Sequence, residues 1–313
     1  MKSSNIGGQA VMEGIMMRSG DQYSIGVRKP DGEIEVKVEP YRSWAKDSSI
    51  WKLPVFRGVA SFFESLVVGI RCLMYSASFI EDEEEDAKKP GKEKTEEQKE
   101  KEEKWLMYGT MTFSVIFSIA LFIMLPYFLA GFLRNVTTSE GVIAVAEACV
   151  RMILFLGYLV LISRMKDIQR VFMYHGAEHK CINCVEHGLE LNVENVMKSS
   201  REHKRCGTSF LLFVMIVSII FFLFIRVSSP VLRVVIRLLL MPVIAGVSYE
   251  IIRLAGKSDN KIVALLSKPG LMLQHLTTRE PEPEMAEVAI AAVEAVFDWK
   301  AYLRENFGYK EEE

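Results

Sequence analysis

The chain has 313 residues, of which 50% are hydrophobic and 25% are charged, and its mean hydropathy is +0.17. These values indicate that apolar and ionic stretches are segregated along the chain, as in a membrane protein. The formal net charge of −2 argues against a general affinity for nucleic acid. The five cysteines are sparse and most of them fall in one polar segment, so we expect thiols or metal ligands rather than disulfides.

Residues 1–50 are predicted to form a small soluble unit that contains β-structure. Charged and branched apolar side chains alternate from Glu33 to Glu39 with a period of two residues, which is typical of a strand. A turn is predicted at Pro30–Gly32, and Tyr23–Arg28 is predicted to be the partner strand. The segment Gly7–Arg18 mixes glycines and methionines too irregularly for a simple strand, and we expect a loop with close backbone contacts.

Residues 51–80 are mostly apolar but are interrupted by Arg57, Glu64 and Arg71, which recur every seven residues and therefore share one helical face. Such a helix is expected to lie along the membrane surface or to pack on the spans rather than to cross the bilayer. If it crossed, the orientation deduced below would be inverted. Residues 81–104 are almost all charged, and they are predicted to be a solvated linker or a charged helix.

Residues 105–255 are predicted to form a mainly α-helical membrane domain with four spans, since crossing the hydrocarbon core takes roughly 20 apolar residues. Pro126 is expected to kink the first span. Glu147 and Arg151, one helical turn apart, are expected to neutralise each other in the second. The predicted spans are Leu106–Leu133, Gly141–Ser163, Thr208–Ile225 and Val231–Ala255.

The polar loop 164–207 carries the most informative motif. His175 and His179 lie four residues apart, so a helix places both imidazoles on one face beside the carboxylate of Glu178. This His-x-x-Glu-His order is the arrangement of inverted zinc metallopeptidases. We therefore predict that the two histidines bind a divalent metal ion, with zinc favoured, and that Glu178 is the general base. A surface helix with locally hydrogen-bonded histidines is the alternative.

The third ligand is predicted among residues that the topology brings to the same depth. His203 is the first choice and Glu194 the second, followed by Glu186, Cys206 and Glu250. For Glu250, an ion pair with Arg253 or another base is favoured over ligation. An anionic substrate or an oxyanion would be bound by Lys180, Arg201 or Arg205.

Cysteines supply an alternative ligand set. Cys181, Cys184 and Cys206 with one histidine would form a closed, structural tetrahedral site. Cys181 lies only two residues after His179, however, so a helix that served both ligands would have to break between them.

Residues 256–313 are predicted to be a cytoplasmic segment with an amphipathic helix. Helix-start cues occur at Thr277–Pro281, and apolar residues then recur at steps of three and four from Met285 to Leu303. This helix is expected to dock on the N-terminal unit. The loop 164–207 is rich in lysine and arginine and the loop 134–140 is not, so both termini are expected in the cytoplasm.

Five long, ordered motifs run through the chain: Gly7–Gly14, Tyr174–Lys180, Val193–Val196, Arg205–Phe210 and Leu276–Pro281. Together they resemble the motifs of the YqhQ family of bacterial membrane proteins, and the resemblance covers nearly the whole chain. It implies a functionally uncharacterised protein that is labelled a metal-dependent enzyme. It also implies that the family's marked residues fall here at Glu13, His175, Glu178, His179, Glu194, His203 and Cys206, without Cys181 and Cys184.

The leading hypothesis is an integral protein of the bacterial inner membrane with a cytoplasm-facing divalent-metal site. It would act as a hydrolase on a peptide, lipid-linked or phosphorylated substrate. The second hypothesis is a non-enzymatic membrane factor, an assembly or binding platform with a structural metal site or none. A small transporter is disfavoured because the spans hold few midplane charges or helix breaks. The lipid bilayer is the predicted partner, and the oligomeric state stays open.

Overall fold

The computed structural model of the chain describes residues 2–43, 49–87, 96–225, 227, 229–257 and 260–310. It divides into two compact units. The first consists of Met1–Glu83, Leu161–Val217 and Pro242–Glu313, and the second consists of Glu84–Val160 and Ser218–Met241. The middle of the predicted charged linker, residues 88–95, lies outside the described residues.

A four-stranded antiparallel sheet begins the first unit. Its strands pair in chain order, as β1 (Gly7–Val11), β2 (Gly14–Ser19), β3 (Gln22–Arg28) and β4 (Ile34–Pro40). The predicted pairing of β3 with β4 is confirmed, with Ser24 opposite Val38. The predicted loop at residues 7–18 is wrong, because this segment forms the hairpin β1–β2, in which Gly8 pairs with Met17.

Helices make up most of the remaining described chain. In chain order they are α1 (Phe56–Ala87), α2 (Glu96–Ile119), α3 (Leu125–Gly131), α4 (Glu140–Ile162), α5 (Lys166–Glu186), α6 (Val193–Lys198), α7 (Gly207–Leu223), α8 (Pro230–Lys257), α9 (Lys261–Thr277), α10 (Pro283–Glu294) and α11 (Trp299–Phe307).

The hairpin β1–β2 forms because both faces of β2 are covered. Ile15 and Met17 belong to a core shared with α5 and α10, whereas Met16 belongs to a second core with Val11 and with Cys72 of α1. A strand that is buried on both sides carries apolar residues at successive positions. The alternation that marks a half-exposed strand is therefore missing from this segment, which explains the wrong prediction.

The predicted C-terminal amphipathic helix is divided into α10 and α11. The chain turns between them, and the Asp298 side chain caps α11 by accepting the Ala301 backbone N–H at 2.9 Å. Met285 of α10 and Leu303 of α11 are both buried in the core that includes β2. Helix α10 therefore docks on the sheet, as the apolar stripe predicts, and α11 packs against the same core.

Among the described residues, four helices are long and apolar enough to cross a membrane: Phe56–Ile80, Tyr108–Asn135, Glu140–Ile162 and Val231–Gly256. Their length and composition indicate a membrane protein. The last three coincide with predicted spans. The fourth predicted span, now α7, is a shorter apolar helix of 17 residues, while the segment predicted to be interfacial has the length and hydropathy of a span.

Two sequence features of the spans have local consequences in the second unit. Pro126 lies in the first turn of α3, directly after a π-helical turn at Ala120–Met124, where the regular helix is interrupted. Glu147 and Arg151 form the predicted ion pair at 2.7 Å, and Arg237 also donates to Glu147 at 3.0 Å. All three charged side chains are buried.

Candidate metal centre

Helix α5 presents two histidines whose Nε2 atoms are available to a ligand. The rings of His175 and His179 lie 4.4 Å apart between centroids. The Nδ1 atom of His175 lies 2.8 Å from the carbonyl oxygen of Thr277, and that of His179 lies 2.5 Å from the carbonyl oxygen of Arg201. A carbonyl oxygen only accepts, so each Nδ1 carries a proton. In the neutral rings the Nε2 lone pairs are therefore free to bind a metal.

Cys206 completes a group of three possible ligands. Its Sγ atom lies 3.2 Å from His175 Nε2, and one ligand atom from each of the three residues lies within 4.8 Å of the others. The described residues contain this one group of His, Cys, Asp or Glu that could hold a metal ion. Cys206 directly precedes α7, and Thr208 donates its backbone N–H to Sγ at 3.4 Å.

Glu178 is buried beside this group, with 5% of its surface exposed. Burial raises the pKa of Glu178 to about 6, while His175 and a hydrogen bond from the Gly8 backbone N–H act in the opposite direction. A Cβ atom at Gly8 would lie 2.8 Å from Glu178 Cγ. Glycine at this position therefore lets β1 approach the carboxylate closely.

A second buried pair lies next to the three possible ligands. His203 Nε2 lies 3.6 Å from Glu186 Oε2, and the His203 ring is 5.7 Å from the ring of His179. Ser4 donates its backbone N–H and its hydroxyl to Glu186, both at 2.7 Å, and Arg205 pairs with the same carboxylate. Burial alone would raise the pKa of Glu186, but the contacts with His203, Arg205 and Ser4 outweigh it and hold this pKa at about 2.

Gln274 of α9 fixes the loop that carries His203 and Cys206. Its fully buried carboxamide accepts the His203 backbone N–H at 2.9 Å and donates to the His203 carbonyl oxygen at 2.8 Å. It also donates to the Ser209 hydroxyl at 3.0 Å. The sequence patterns did not predict this role. The sequence signal that could have indicated it is the position of Gln274 as a lone carboxamide in the mostly apolar run Leu271–Leu276.

Residues 53–299 match the family model described as "Protein of unknown function (DUF1385)". The chain belongs to this family. It is also 38% identical over 302 residues to a Bacillus subtilis protein described as "Uncharacterized protein YqhQ", a match that covers 96% of this chain and 94% of the relative. The resemblance to the YqhQ family is thus confirmed. No solved structure matches the chain.

Two predicted ligands of this DUF1385 chain lie in ion pairs outside the group of three. Glu194 is exposed and pairs with Lys198 at 2.5 Å. Glu250 pairs with Arg57 and, at 3.7 Å, with Arg253, which agrees with the favoured alternative. His203, the first choice for the third ligand, faces Glu186 instead, and the position next to His175 is taken by Cys206.

Three charged candidates of the DUF1385 chain have structural partners. Glu13 forms a two-fold ion pair with Arg170, with both N···O distances at 2.5 Å. Lys180 is buried and donates to the carbonyl oxygens of Met197 and Ser199 at the end of α6. Arg205 pairs with Glu186 as described above. These contacts join neighbouring segments of the fold, and they occupy Lys180 and Arg205, two of the three groups predicted to bind an anion.

The alternative cysteine ligands lie on another face of α5. Cys181 follows His179 by two residues, which is about 200° around an α-helix. Cys181 and Cys184 are fully buried in the core between α5 and α10, and burial raises the pKa of both thiols. The structure therefore brings Cys206, but neither Cys181 nor Cys184, to the two histidines.

Proposed function

We propose that His175, His179 and Cys206 bind one divalent metal ion, with zinc as the best match, and that the protein is a metal-dependent hydrolase. The observation that carries the proposal is the pair of Nδ1–H···O=C hydrogen bonds, which leave both Nε2 lone pairs available beside Cys206 Sγ. Hydrogen bonds of this kind orient nearly all histidines that bind metals.

The donor set fits zinc. Two imidazole nitrogens and a thiolate are among the ligands that zinc takes, at about 2.0–2.1 Å for nitrogen and about 2.3 Å for sulfur. Tetrahedral ligands at these lengths are roughly 3.3–3.6 Å apart. The 3.2 Å between Cys206 Sγ and His175 Nε2 is close to this range. The other ligand atoms lie within 4.8 Å of one another, so they would move closer by about 1.5 Å at most to bind one ion.

Glu178 suits the role of general base. Three protein ligands leave one position for water, and a zinc ion bound here would lower the pKa of that water towards ~7. Glu178 is buried beside the ligands, and its carboxylate would accept a proton from that water. Glu178 would take the proton from the attacking water and return it to the leaving group, so that an amide, ester or phosphoester bond is hydrolysed. We infer a peptide, lipid-linked or phosphorylated substrate.

The proposed location is the cytoplasmic face of the bacterial inner membrane. The loop 164–207, which carries all three ligands, is rich in lysine and arginine, and loops of this kind stay in the cytoplasm. Cys206 directly precedes the apolar helix α7. The metal site would then lie near the bilayer surface, where a lipid-linked substrate is within reach.

A structural metal in a non-enzymatic membrane factor is the second candidate. The burial of the ligands favours this candidate, since only 1% of the surface of His179 and 4% of the surface of Cys206 are exposed to solvent. An ion bound by these residues would also join α5 to the segment before α7, as structural zinc ions join separate segments.

Metal content tests the shared part of both candidates. The full-length protein, purified in detergent, is expected to contain about one zinc ion per chain by elemental analysis. His175→Ala, His179→Ala and Cys206→Ser should each lose it. His187→Ala is the matched control, because His187 ends the same helix and its Nδ1 contacts the Asn183 carbonyl oxygen at 2.8 Å. Unchanged metal content in the three ligand variants would refute the site.

Glu178→Gln separates the two candidates. For a hydrolase, this variant should keep the metal and the thermal stability but fail to restore function in a deletion strain. For a structural site, it should keep function as well, and removal of the metal by a chelator should lower the unfolding temperature strongly. Function that survives in Glu178→Gln would therefore exclude Glu178 as the general base.

A further inference from the structure

One face of α1 packs against the sheet. Glu64 accepts a hydrogen bond from the Tyr41 hydroxyl, and Cys72 is fully buried in the core that includes β3. Ser76 accepts the backbone N–H of Met12, in the turn between β1 and β2, at 3.2 Å. These contacts cover three turns of α1, so the sheet lies along the C-terminal half of the segment Phe56–Ile80.

The opposite face of α1 is apolar and exposed. Its large side chains are each 40–48% exposed, and they are Phe56, Phe63, Leu66, Leu73 and Met74. At 3.6 residues per turn these positions fall within a sector of about 100°. A continuous apolar stripe of this length marks a contact surface rather than scattered apolar residues on a soluble surface.

The connectivity limits which helices cross a membrane. The sheet packs on α5, so the residues before α1 and those after α4 lie on one side of the bilayer. Three candidate spans separate them along the chain: Phe56–Ile80, Tyr108–Asn135 and Glu140–Ile162. Three crossings would place the sheet and α5 on opposite sides. An even number is required, and α1 is the helix whose contacts with the sheet keep it from crossing.

The same rule applies after α5. Helix α10 also packs on the sheet, so the chain crosses an even number of times between α5 and α10. Helix α8 contains a candidate span, and α7 is the neighbouring apolar helix. Its 17 residues extend for about 26 Å, close to the thickness of the hydrocarbon core. One crossing by α7 and one by α8 give the even number that is required between α5 and α10.

The start of α1 adjoins the helices of the bilayer. A Cβ atom at Gly58 would lie 2.8 Å from the Gly246 carbonyl oxygen of α8, and the rings of Phe62 and Phe210 of α7 are 5.8 Å apart. The start of α1 therefore adjoins the apolar helices α7 and α8.

We propose that α1 is an interfacial helix that binds the lipid surface through its apolar face and holds the sheet on its other face. The stripe inserts into the boundary between headgroups and acyl chains, as in amphipathic helices that lie in the membrane plane. The membrane is crossed four times, by α2 with α3, by α4, by α7 and by α8. The sheet, α5 and α10 then lie together on one side.

Cysteine labelling from each side of the membrane tests the path of α1. Single cysteines replace Ser78 near the end of the apolar segment, Glu33 in the β3–β4 turn and Thr138 between α3 and α4. All three variants also carry Cys149→Ser, because Cys149 is exposed and would react with the label, whereas the other four cysteines are buried. In right-side-out and inside-out bacterial vesicles, a membrane-impermeant maleimide should label positions 78 and 33 from the same side and position 138 from the other. Labelling of positions 78 and 33 from opposite sides would show that α1 crosses.

Spin labels test the lipid contact. In vesicles of phosphatidylethanolamine and phosphatidylglycerol, labels at Leu66→Cys and Leu73→Cys should be relaxed by oxygen more than by a water-soluble nickel complex. Both should lie at a depth of about 5–10 Å. The Glu33→Cys label is the water-exposed control. Labels at 66 and 73 that behave like the control would overturn the proposal. So would labels shielded from both reagents, since a protein partner or a second copy would then cover the stripe.

Discussion

Gly176 and Arg279 are in direct backbone contact, since a Cβ atom at position 176 would lie 2.0 Å from the Arg279 carbonyl oxygen. Arg279 donates its backbone N–H to the Phe172 carbonyl oxygen at 2.8 Å. The segment after α9 thus crosses α5 within the His175–His179 turn. The last residue of α9, Thr277, presents the carbonyl oxygen that orients His175, so the glycine and the ligand geometry depend on each other.

Replacement of Gly176 by alanine should therefore destabilise the fold and weaken metal binding. The clash is with backbone, which cannot rotate away, so we expect a loss of about 1–3 kcal/mol. Thermal unfolding and zinc content measure the two effects. Gly157→Ala is the control, because nothing lies within 4 Å of a Cβ atom there, and it should leave both quantities unchanged or raise stability slightly. A Gly176→Ala protein with full zinc content and wild-type stability would contradict this contact.

Replacement of Gly8 by alanine should move the Glu178 side chain. The added Cβ would lie 2.8 Å from Glu178 Cγ and 2.8 Å from Met17 Sδ. Both are side-chain atoms, so we expect displacement rather than unfolding, with zinc retained and complementation of a deletion strain reduced. Gly7→Ala is the matched control, since position 7 is open. If Gly8→Ala complements as well as Gly7→Ala, the position of Glu178 does not matter for function.

The buried carboxylate of Glu186 should make stability depend on pH in the acid range. Its folded-state pKa of about 2 lies below the ordinary value near 4.3, so the native state binds this proton less well than the unfolded state. The resulting stabilisation is present above about pH 4.3 and is lost as the pH falls towards 2. The difference in unfolding temperature between wild type and Glu186→Gln should thus be largest near neutral pH and shrink below about pH 4. A difference that stays constant with pH would refute the low pKa.

Removal of the buried carboxylate in the second unit should be strongly destabilising. Glu147 lies between Arg151 and Arg237, and Glu147→Gln would leave two buried guanidinium groups without a counter-charge. Loss of one partner of a buried ion pair costs about 3–5 kcal/mol. Glu140→Gln is the control, because its pair with Arg134 is exposed and such pairs contribute about 0–1 kcal/mol. Thermal unfolding in detergent measures both, and equal losses in the two variants would contradict the prediction.

Local periodicity was sufficient for part of the site. The four-residue spacing of His175 and His179 puts both rings on one face of any helix, and the structure has them 4.4 Å apart. The choice between His203 and Cys206 was not local. These residues are three positions apart in one loop, and the contacts of Gln274, 71 residues away, with the His203 backbone fix the loop that turns Cys206 towards His175.

The strands and the spans also show that local sequence patterns predict only part of the fold. The alternation from Glu33 to Glu39 predicted β4, because one of its faces is exposed, but β2 is covered on both faces and carries no such signal. The apolar residues of α1 predict contact with lipid or protein. Only the packing of Cys72 and Ser76 on the sheet shows which of its faces meets protein.

The sequence by itself determined a helical membrane protein with a small β unit, a His-x-x-Glu-His helix turn and membership of its family, because these depend on composition and on short-range spacing. Tertiary structure decided the third possible ligand, the partners of Glu178 and Glu186, and the face of α1 that is left exposed. Each of these depends on segments far apart in the chain, such as Gly8, Gln274 and Thr277, that meet only when the sheet and helices pack around one core.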